Sequence, residues 1–207
     1  MGQHTPIVPS TATAGAPTER VAEILEAACR VIARDGAHGL HMKTVAREAG
    51  VSKALVHYYV ATRQELLRQA IAYADARTRE RVEAVLEPLP NGAARLERML
   101  LAYAGNESAV AESQALWNAA WGSLKLDDEL APAVKAGYEG WTGWVAALVD
   151  EGKRDGSLPA TLDTKDTSLT LMALAEGISS LVDVGLCEPE RATRLMRQGI
   201  AVAVEQA

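Results

Sequence analysis

From residue 18 onward the apolar residues of this chain recur every three or four positions, and no stretch of useful length alternates at every second one. That spacing is one face of an α-helix, so the expected fold class is all-α. Val21, Ile24, Leu25, Ala28, Val31 and Ile32 form the first stripe, behind Thr18 as an N-cap and Glu19, and Asp35-Gly36 ends it. After a loop over 37–41 come two short helices, 44–49 and 52–59, with Gly50 between them. Thr62-Arg63-Gln64-Glu65 has the form of a capping box and opens a long helix to about Leu86, which Pro88 and Pro90 stop. Asn91 caps a fifth helix to about Asn106, and a sixth runs from Ser108 to about Leu124. Asp127-Asp128-Glu129 supplies first-turn acids to a seventh, ending near Asp155 before Gly156-Ser157-Leu158-Pro159. Asp163 caps an apolar eighth helix through Val184, and Glu188-Pro189 opens a last one to about Glu205. The expected architecture is about nine helices without internal repeat.

Composition narrows the class. With 48% hydrophobic and 23% charged residues in 207, the chain has the means to bury a core and is not a disordered one. No apolar run approaches the length of a membrane span, and no basic segment followed by an apolar one opens the chain, so neither a membrane partner nor secretion is expected. Two cysteines, Cys29 and Cys187, suit a reducing compartment, and a cytoplasmic location is expected. Residues 1–17 carry no Lys, Arg, Asp or Glu and no periodicity, and read as a flexible arm. Residues 1–70 hold eight Lys or Arg against six Asp or Glu, while 71–207 hold thirteen against twenty-one. An anionic partner would therefore be met near the N-terminus.

The two short helices around Gly50 form a helix-turn-helix, with Ala46 allowing close approach and Val45, Val51 and Val56 as the apolar seam. In such a motif the second helix enters the major groove. Ser52, Lys53, Ala54, Leu55, Val56, His57, Tyr58 and Tyr59 give that helix hydroxyls, a cation, an imidazole and small apolar groups. The plain alternative is an αα-corner with polar residues on its outside.

The run Val51-Ser52-Lys53-Ala54-Leu55-Val56-His57-Tyr58-Tyr59-Val60-Ala61-Thr62-Arg63-Gln64-Glu65-Leu66-Leu67 closely resembles the signature of TetR-family transcriptional regulators. The helix 24–36 and the run Met42-Lys43-Thr44-Val45-Ala46-Arg47-Glu48-Ala49-Gly50 resemble that family's first two helices, so the likeness covers about residues 18–70. Two positions depart from the pattern: Val60 stands where the family usually has Phe, and Ala54 where it often has Gly. The resemblance implies double-stranded DNA as partner, bound at a palindromic operator by a homodimer. It implies phosphate contacts from Thr44, Lys53, Tyr58, Tyr59, Thr62 and Arg63, and base-facing positions at Ser52, Ala54, Leu55 and His57. The domains implied are an arm over 1–17, a DNA-binding domain over 18–66, and a ligand-binding and dimerisation domain over 67–207.

The remainder has no Gly-rich phosphate loop, no CxxC pair and no HExxH. His38 and His41 lie three apart without a third ligand, and neither enzyme chemistry, cofactor nor metal is expected. Its informative feature is aromatic. Trp117 and Trp121 are four apart, and Trp141 and Trp144 three apart, with Tyr138 one turn before Trp141. They read either as core packing or as the wall of an apolar pocket for a small-molecule effector. Met99 and Tyr103 would close one side, and Met172 and Glu176 come from the eighth helix, Glu176 placed to meet a cation. Leu116-Trp117-Asn118-Ala119-Ala120-Trp121, Asp127-Asp128-Glu129-Leu130, Tyr138, Trp141 and Glu151-Gly152-Lys153 through Gly156-Ser157-Leu158 resemble the C-terminal domain of the choline-responsive betaine-pathway repressors over about 95–190. That implies a ligand-gated repressor, without fixing the ligand. The last two helices carry apolar stripes, including Leu174, Ile178 and Leu181 on one and Leu195 and Ile200 on the other, which read as a four-helix dimer interface or as an intramolecular core.

Overall fold

The computed structural model describes residues 19–205 except 106, 109, 111–112, 115 and 119–130. Among the described residues it is helical throughout, with no strand. The helices are α1 (Glu19–Asp35), α2 (Met42–Glu48), α3 (Lys53–Tyr59), α4 (Arg63–Leu86), α5 (Gly92–Ala104), α6 (Ala131–Asp155), α7 (Thr164–Asp183) and α8 (Pro189–Glu205), with a 3-10 turn at Ala37–Gly39. Helical residues between 108 and 118 lie where a sixth helix is expected. The proposed arm, the Thr18 cap, Trp121 and the acids at 127–129 lie outside the described residues. No helix among the described residues is long and apolar enough to cross a membrane.

Side-chain caps set the starts of four helices. Backbone N–H groups of Leu55, Glu65, Ala94 and Asp166 donate to Ser52 Oγ, Thr62 Oγ1, Asn91 Oδ1 and Asp163 Oδ1 at 2.8–3.1 Å. α2 begins two residues before the position expected, at Met42, because His41 takes the extended N-cap conformation without a side-chain bond. Between α2 and α3, Gly50 is left-handed at φ +66°, and Val51 N donates to Ala46 O at 2.9 Å. This glycine closure turns the chain sharply enough to set the two short helices against each other.

Two buried clusters organise the molecule. The first gathers apolar residues of α1–α4, among them Ile24, Val31, Val45, Val56, Leu66 and Ala70, and also takes in Leu116, Trp117 and Val134. The second is built from the end of α4 and from α5, α6, α7 and α8, including Val82, Leu86, Leu100, Trp141, Val149, Leu171 and Met196. Helix α7 has two faces. Leu171, Met172, Ala175, Ile178 and Ser179 are buried, whereas Leu169, Ala173, Gly177 and Leu181 face outward. Ile178, at 4% exposure, packs in the core of the single chain. The sequence period finds both stripes of α7 but cannot say which one the same chain covers.

Helix α5 meets the C-terminal end of α6 backbone to backbone. A Cβ on Gly92 would fall 2.2 Å from Gly152 N. The α5 N-terminus is closed there by Asp155 and Ser157, which accept from Gly92 N at 2.7 Å and Ala93 N at 3.1 Å. Gly92→Ala should therefore destabilise the protein by about 2 kcal/mol, within the usual cost of overpacking. Thermal unfolding would read this as a Tm lower by roughly 5 °C.

Candidate DNA interface and effector site

Helix α3 presents an exposed face at the N-terminal end of the molecule. Ser52, Lys53, Ala54, His57 and Tyr58 are exposed there, Tyr58 at 80%, while Leu55 and Tyr59 are half-buried. The Tyr59 ring stands edge-on to Tyr58 at 5.0 Å and packs on the first cluster. Thr62 is exposed at the start of α4, and Thr44 is half-buried on α2. Two further cations, Lys43 and Arg47, are exposed on α2; their charge in a short helix before a glycine turn is the signal that could have marked them. The motif is held to α1 through Glu48, which accepts from Arg30 at 3.1 Å and Arg34 at 3.0 Å.

Arg63 is engaged elsewhere than on the exposed face. Its Nε donates to Leu40 O at 2.9 Å and its Nη2 to Ala37 O at 2.5 Å. A guanidinium fork matched to two carbonyls fixes the first residue of α4 to the turn that leads into α2. The structure thus gives Arg63 a bracing role at the foot of the motif.

In the second half, the described aromatic residues converge around two carboxylates. Trp117 and Tyr138 have ring centroids 5.3 Å apart, Tyr103 and Trp141 6.0 Å, and Trp141 and Trp144 5.5 Å. Glu176 Oε1 accepts from Tyr103 Oη at 2.6 Å and Tyr138 Oη at 3.0 Å. Asp75 Oδ1, on α4, accepts from Trp117 Nε1 at 2.9 Å and from Ser113 Oγ. Glu176 thus ties together two phenols from different elements, and Asp75 holds the Trp117 indole. Arg79 lies over the Trp144 ring at 4.6 Å. Met99 and Met172 are buried in the second cluster with Tyr103 and Trp141.

Sequence reasoning placed Glu176 and missed Asp75. The signal was present: Asp75 falls between Ile71 and Thr78 on the buried stripe of α4, where an acid has no ordinary place. Gln114 was missed as well. Its Nε2 donates to Tyr103 O at 3.0 Å and to Ser179 Oγ at 2.6 Å, leaving Oε1 buried without a hydrogen-bond partner.

Burial pushes the Asp75 carboxyl above its ordinary value, against the opposing pull of its hydrogen bonds and of the Arg79 charge. Burial and the Glu176 charge push the Tyr103 phenol far up, so that it remains a donor. A cavity of about 450 Å3 lies elsewhere, between α5 and α8, lined by apolar residues such as Leu96, Leu158, Ile200 and Val204 with the Glu97–Arg197 pair. Another of about 240 Å3 is bounded by Trp144, Leu148 and Glu151. Of the aromatic cluster only Trp144 reaches either cavity, and neither is lined by Asp75 or Glu176. We place the chemistry at the carboxylates, where donors and rings converge, and not in the larger but featureless groove.

A helix-turn-helix with an exposed polar recognition face, joined through a long helix to a helical domain with buried carboxylates among aromatics, is the architecture of a DNA-binding regulator with an effector domain. The chain belongs to the TetR family: residues 24–70 match the model for bacterial regulatory proteins of the tetR family, and 92–204 that for the C-terminal domain of BetI-type transcriptional repressors. Over 48 residues it is 44% identical to the HTH-type transcriptional regulator BetI of Agrobacterium fabrum, a match spanning 23% of each chain. Its fold is similar to that of a TetR-family transcriptional regulator from Rhodococcus sp., with TM-score 0.82, 28% identity, and coverage of 91% of this chain and 100% of the other. It is also similar to a transcriptional regulator from Saccharomonospora viridis in complex with choline, with TM-score 0.74, 23% identity and coverage of 88% and 95%.

The Asp75 shift has a consequence for stability. Because its carboxyl releases a proton less readily folded than unfolded, the folded state binds more protons between the two values. Stability from this group therefore falls as pH rises, and the cost is absent below the ordinary carboxylate value. Asp75→Asn should be more thermostable than the parent at pH 7, with the gain shrinking as pH is lowered through the carboxylate range. Paired Tm measurements across pH check this.

Proposed function

We propose that this protein is a homodimeric repressor that binds a palindromic operator through α3 and leaves it when a small organic cation binds between Asp75 and Glu176. The observation that carries the effector reading is a pair of partly buried carboxylates inside an aromatic cluster. Their hydrogen bonds come from hydroxyl and indole donors, and among the described residues neither forms an ion pair. Two carboxylates against the one guanidinium of Arg79 leave a single negative charge, which suits a monocation. Indole and phenol faces stabilise a cation that carries methyl groups in place of N–H donors. The unpartnered Gln114 Oε1 would accept a hydroxyl on the same molecule. Choline has both features, and it is the compound bound by the Saccharomonospora viridis regulator.

On DNA, Ser52, Ala54, Leu55 and His57 would face bases, and Thr44, Lys53, Tyr58, Tyr59 and Thr62 phosphates. The division is a DNA-binding domain over 18–66 and an effector and dimerisation domain over 67–207. The dimer surface is the outward stripe of α7, with Leu169 at 59% exposure and Leu181 at 39%, together with Leu195 and Val202 of α8. Leu174 and Ile200 are half-buried beneath it, and Gly199 accommodates Leu174, whose Cδ2 lies where a Cβ would stand.

Three measurements test this. Lys53→Ala should weaken binding to all DNA alike and reduce the slope of log affinity against log salt by about 0.9. Leu181→Asp should convert a dimer to a monomer in sedimentation while leaving helical content intact, because the substituted position is solvent-facing in the single chain. Choline should quench tryptophan fluorescence and release the protein from DNA upstream of its own reading frame. Its uncharged isostere 3,3-dimethylbutanol should bind more weakly by about tenfold or more, the scale of a desolvated cation–π contact. Equal responses to the two compounds would remove the cation from the reading.

A further inference from the structure

Trp117 belongs to two parts of the molecule at once. Its ring is buried in the cluster formed mainly by α1–α4, where Leu66, Ala70 and Ala74 of α4 are also found. The same ring packs against Tyr138 of the effector cluster. Its seat depends on a missing side chain: a Cβ on Gly137 of α6 would lie 2.0 Å from Trp117 Cη2. Its indole N–H donates to Asp75, which stands on α4 twelve residues after Arg63. At 1.5 Å per residue, that is roughly 18 Å along one unbroken helix. Arg63 in turn is fastened to the carbonyls of Ala37 and Leu40, at the threshold of α2. Trp117 and Asp75 are thus joined to each other at the effector cluster and, through α4 and its Arg63 brace, to the helix-turn-helix.

We propose that the Trp117–Asp75 hydrogen bond is a latch that holds α4, and with it the recognition helix, in one position, and that a cation entering the effector cluster opens it by drawing the Asp75 carboxylate away. This inference rests on the effector reading above. A methylated ammonium donates no hydrogen bond, so it cannot replace the indole at the carboxylate; it attracts the charge and lengthens the bond. The indole N–H then loses its acceptor while Trp117 is only 6% exposed, which favours a turn of the ring off Gly137. Any such turn disturbs the first cluster, because the ring is one of its members. The effector must bind the unlatched arrangement more tightly than the latched one, and DNA must weaken effector binding by the same factor.

The test uses the full chain with Trp117→Phe, which keeps a ring and loses the donor, and with Gly137→Ala, which favours the helix and removes the seat. The first readout is the factor by which saturating choline weakens binding to DNA upstream of the protein's own reading frame. The second needs no ligand: hydrogen exchange of the α2 and α3 amides, alongside DNA affinity. The latch requires that both variants cut the choline factor at least fivefold, and that each either speeds α2–α3 exchange or shifts ligand-free DNA affinity at least fivefold. Asp75→Asn, which retains an acceptor for the indole but loses the charge, should lose at least tenfold in choline affinity without the faster exchange. Wild-type choline factors in both folded variants would overturn the latch. So would unchanged exchange and unchanged ligand-free affinity in both. A parent protein indifferent to choline would instead overturn the effector reading, and the ligand-free readout would still decide the latch.

Discussion

Helix α4 is one unbroken helix that must satisfy two buried clusters at once. Leu66, Leu67, Ala70, Ile71 and Ala74 serve the first, while Val82 and Leu86 serve the second. A Pro or Gly anywhere between would have allowed the two halves to move independently; the 24 residues contain neither. The rest of the architecture follows from this shared rod. Helix α1 packs along its N-terminal half, where Cys29 Sγ donates to Ala70 O at 3.5 Å, and Arg63 fixes its first turn to the backbone ahead of α2. The buried carboxylate of the effector cluster sits between the two sets of core residues, at Asp75.

That placement explains why the polar groups of the site are arranged as they are. A carboxylate on the buried stripe of a helix is costly unless several donors surround it. Asp75 has two, the Ser113 hydroxyl and the Trp117 indole. Glu176 on α7 has two phenols, from α5 and α6. Neutral donors lower the cost of the charges without cancelling them, so the cluster retains a negative potential that the aromatic faces reinforce. A bound cation would lower that residual cost, and part of its affinity would come from relieving the free protein and not only from new contacts.

The helices were legible in the sequence because local chemistry decides them. Ser52, Thr62, Asn91 and Asp163 all cap where their types and positions indicate, and Gly50 supplies the left-handed residue that the turn between α2 and α3 needs. The start of α2 was less so, since His41 carries no capping bond. In the site, Trp117, Tyr138, Trp141, Trp144 and Tyr103 do come together, and Glu176 lies among them. What the sequence could not supply were the partners. Arg63 finds carbonyls whose direction is set by a 3-10 turn some 25 residues earlier in the chain, and Ile178 finds its neighbours on helices whose packing periodicity does not encode. Asp75 was readable as an acid on an apolar stripe, but not as the acceptor of Trp117 and Ser113.

The same physics ties stability to responsiveness. A protein with an apolar residue at position 75 would avoid the cost of a buried charge, yet it would lose the acceptor that joins α4 to Trp117 and, on the proposed reading, the charge that would attract a cation. On the proposed reading, retaining the acid would keep the cluster poised, because the bonds that hold Asp75 come from neutral donors that a full positive charge would outcompete. A lysine or arginine paired directly with Asp75 would stabilise it more strongly and close the site to any cationic ligand. Arg79, four residues along the same helix, instead rests on the face of Trp144, close enough to lower the Asp75 carboxyl but with no ion pair to it among the described residues. Among the described residues Asp75 is thus left to hydrogen-bond donors, which on the proposed reading is the arrangement a reversible, charge-operated link would require.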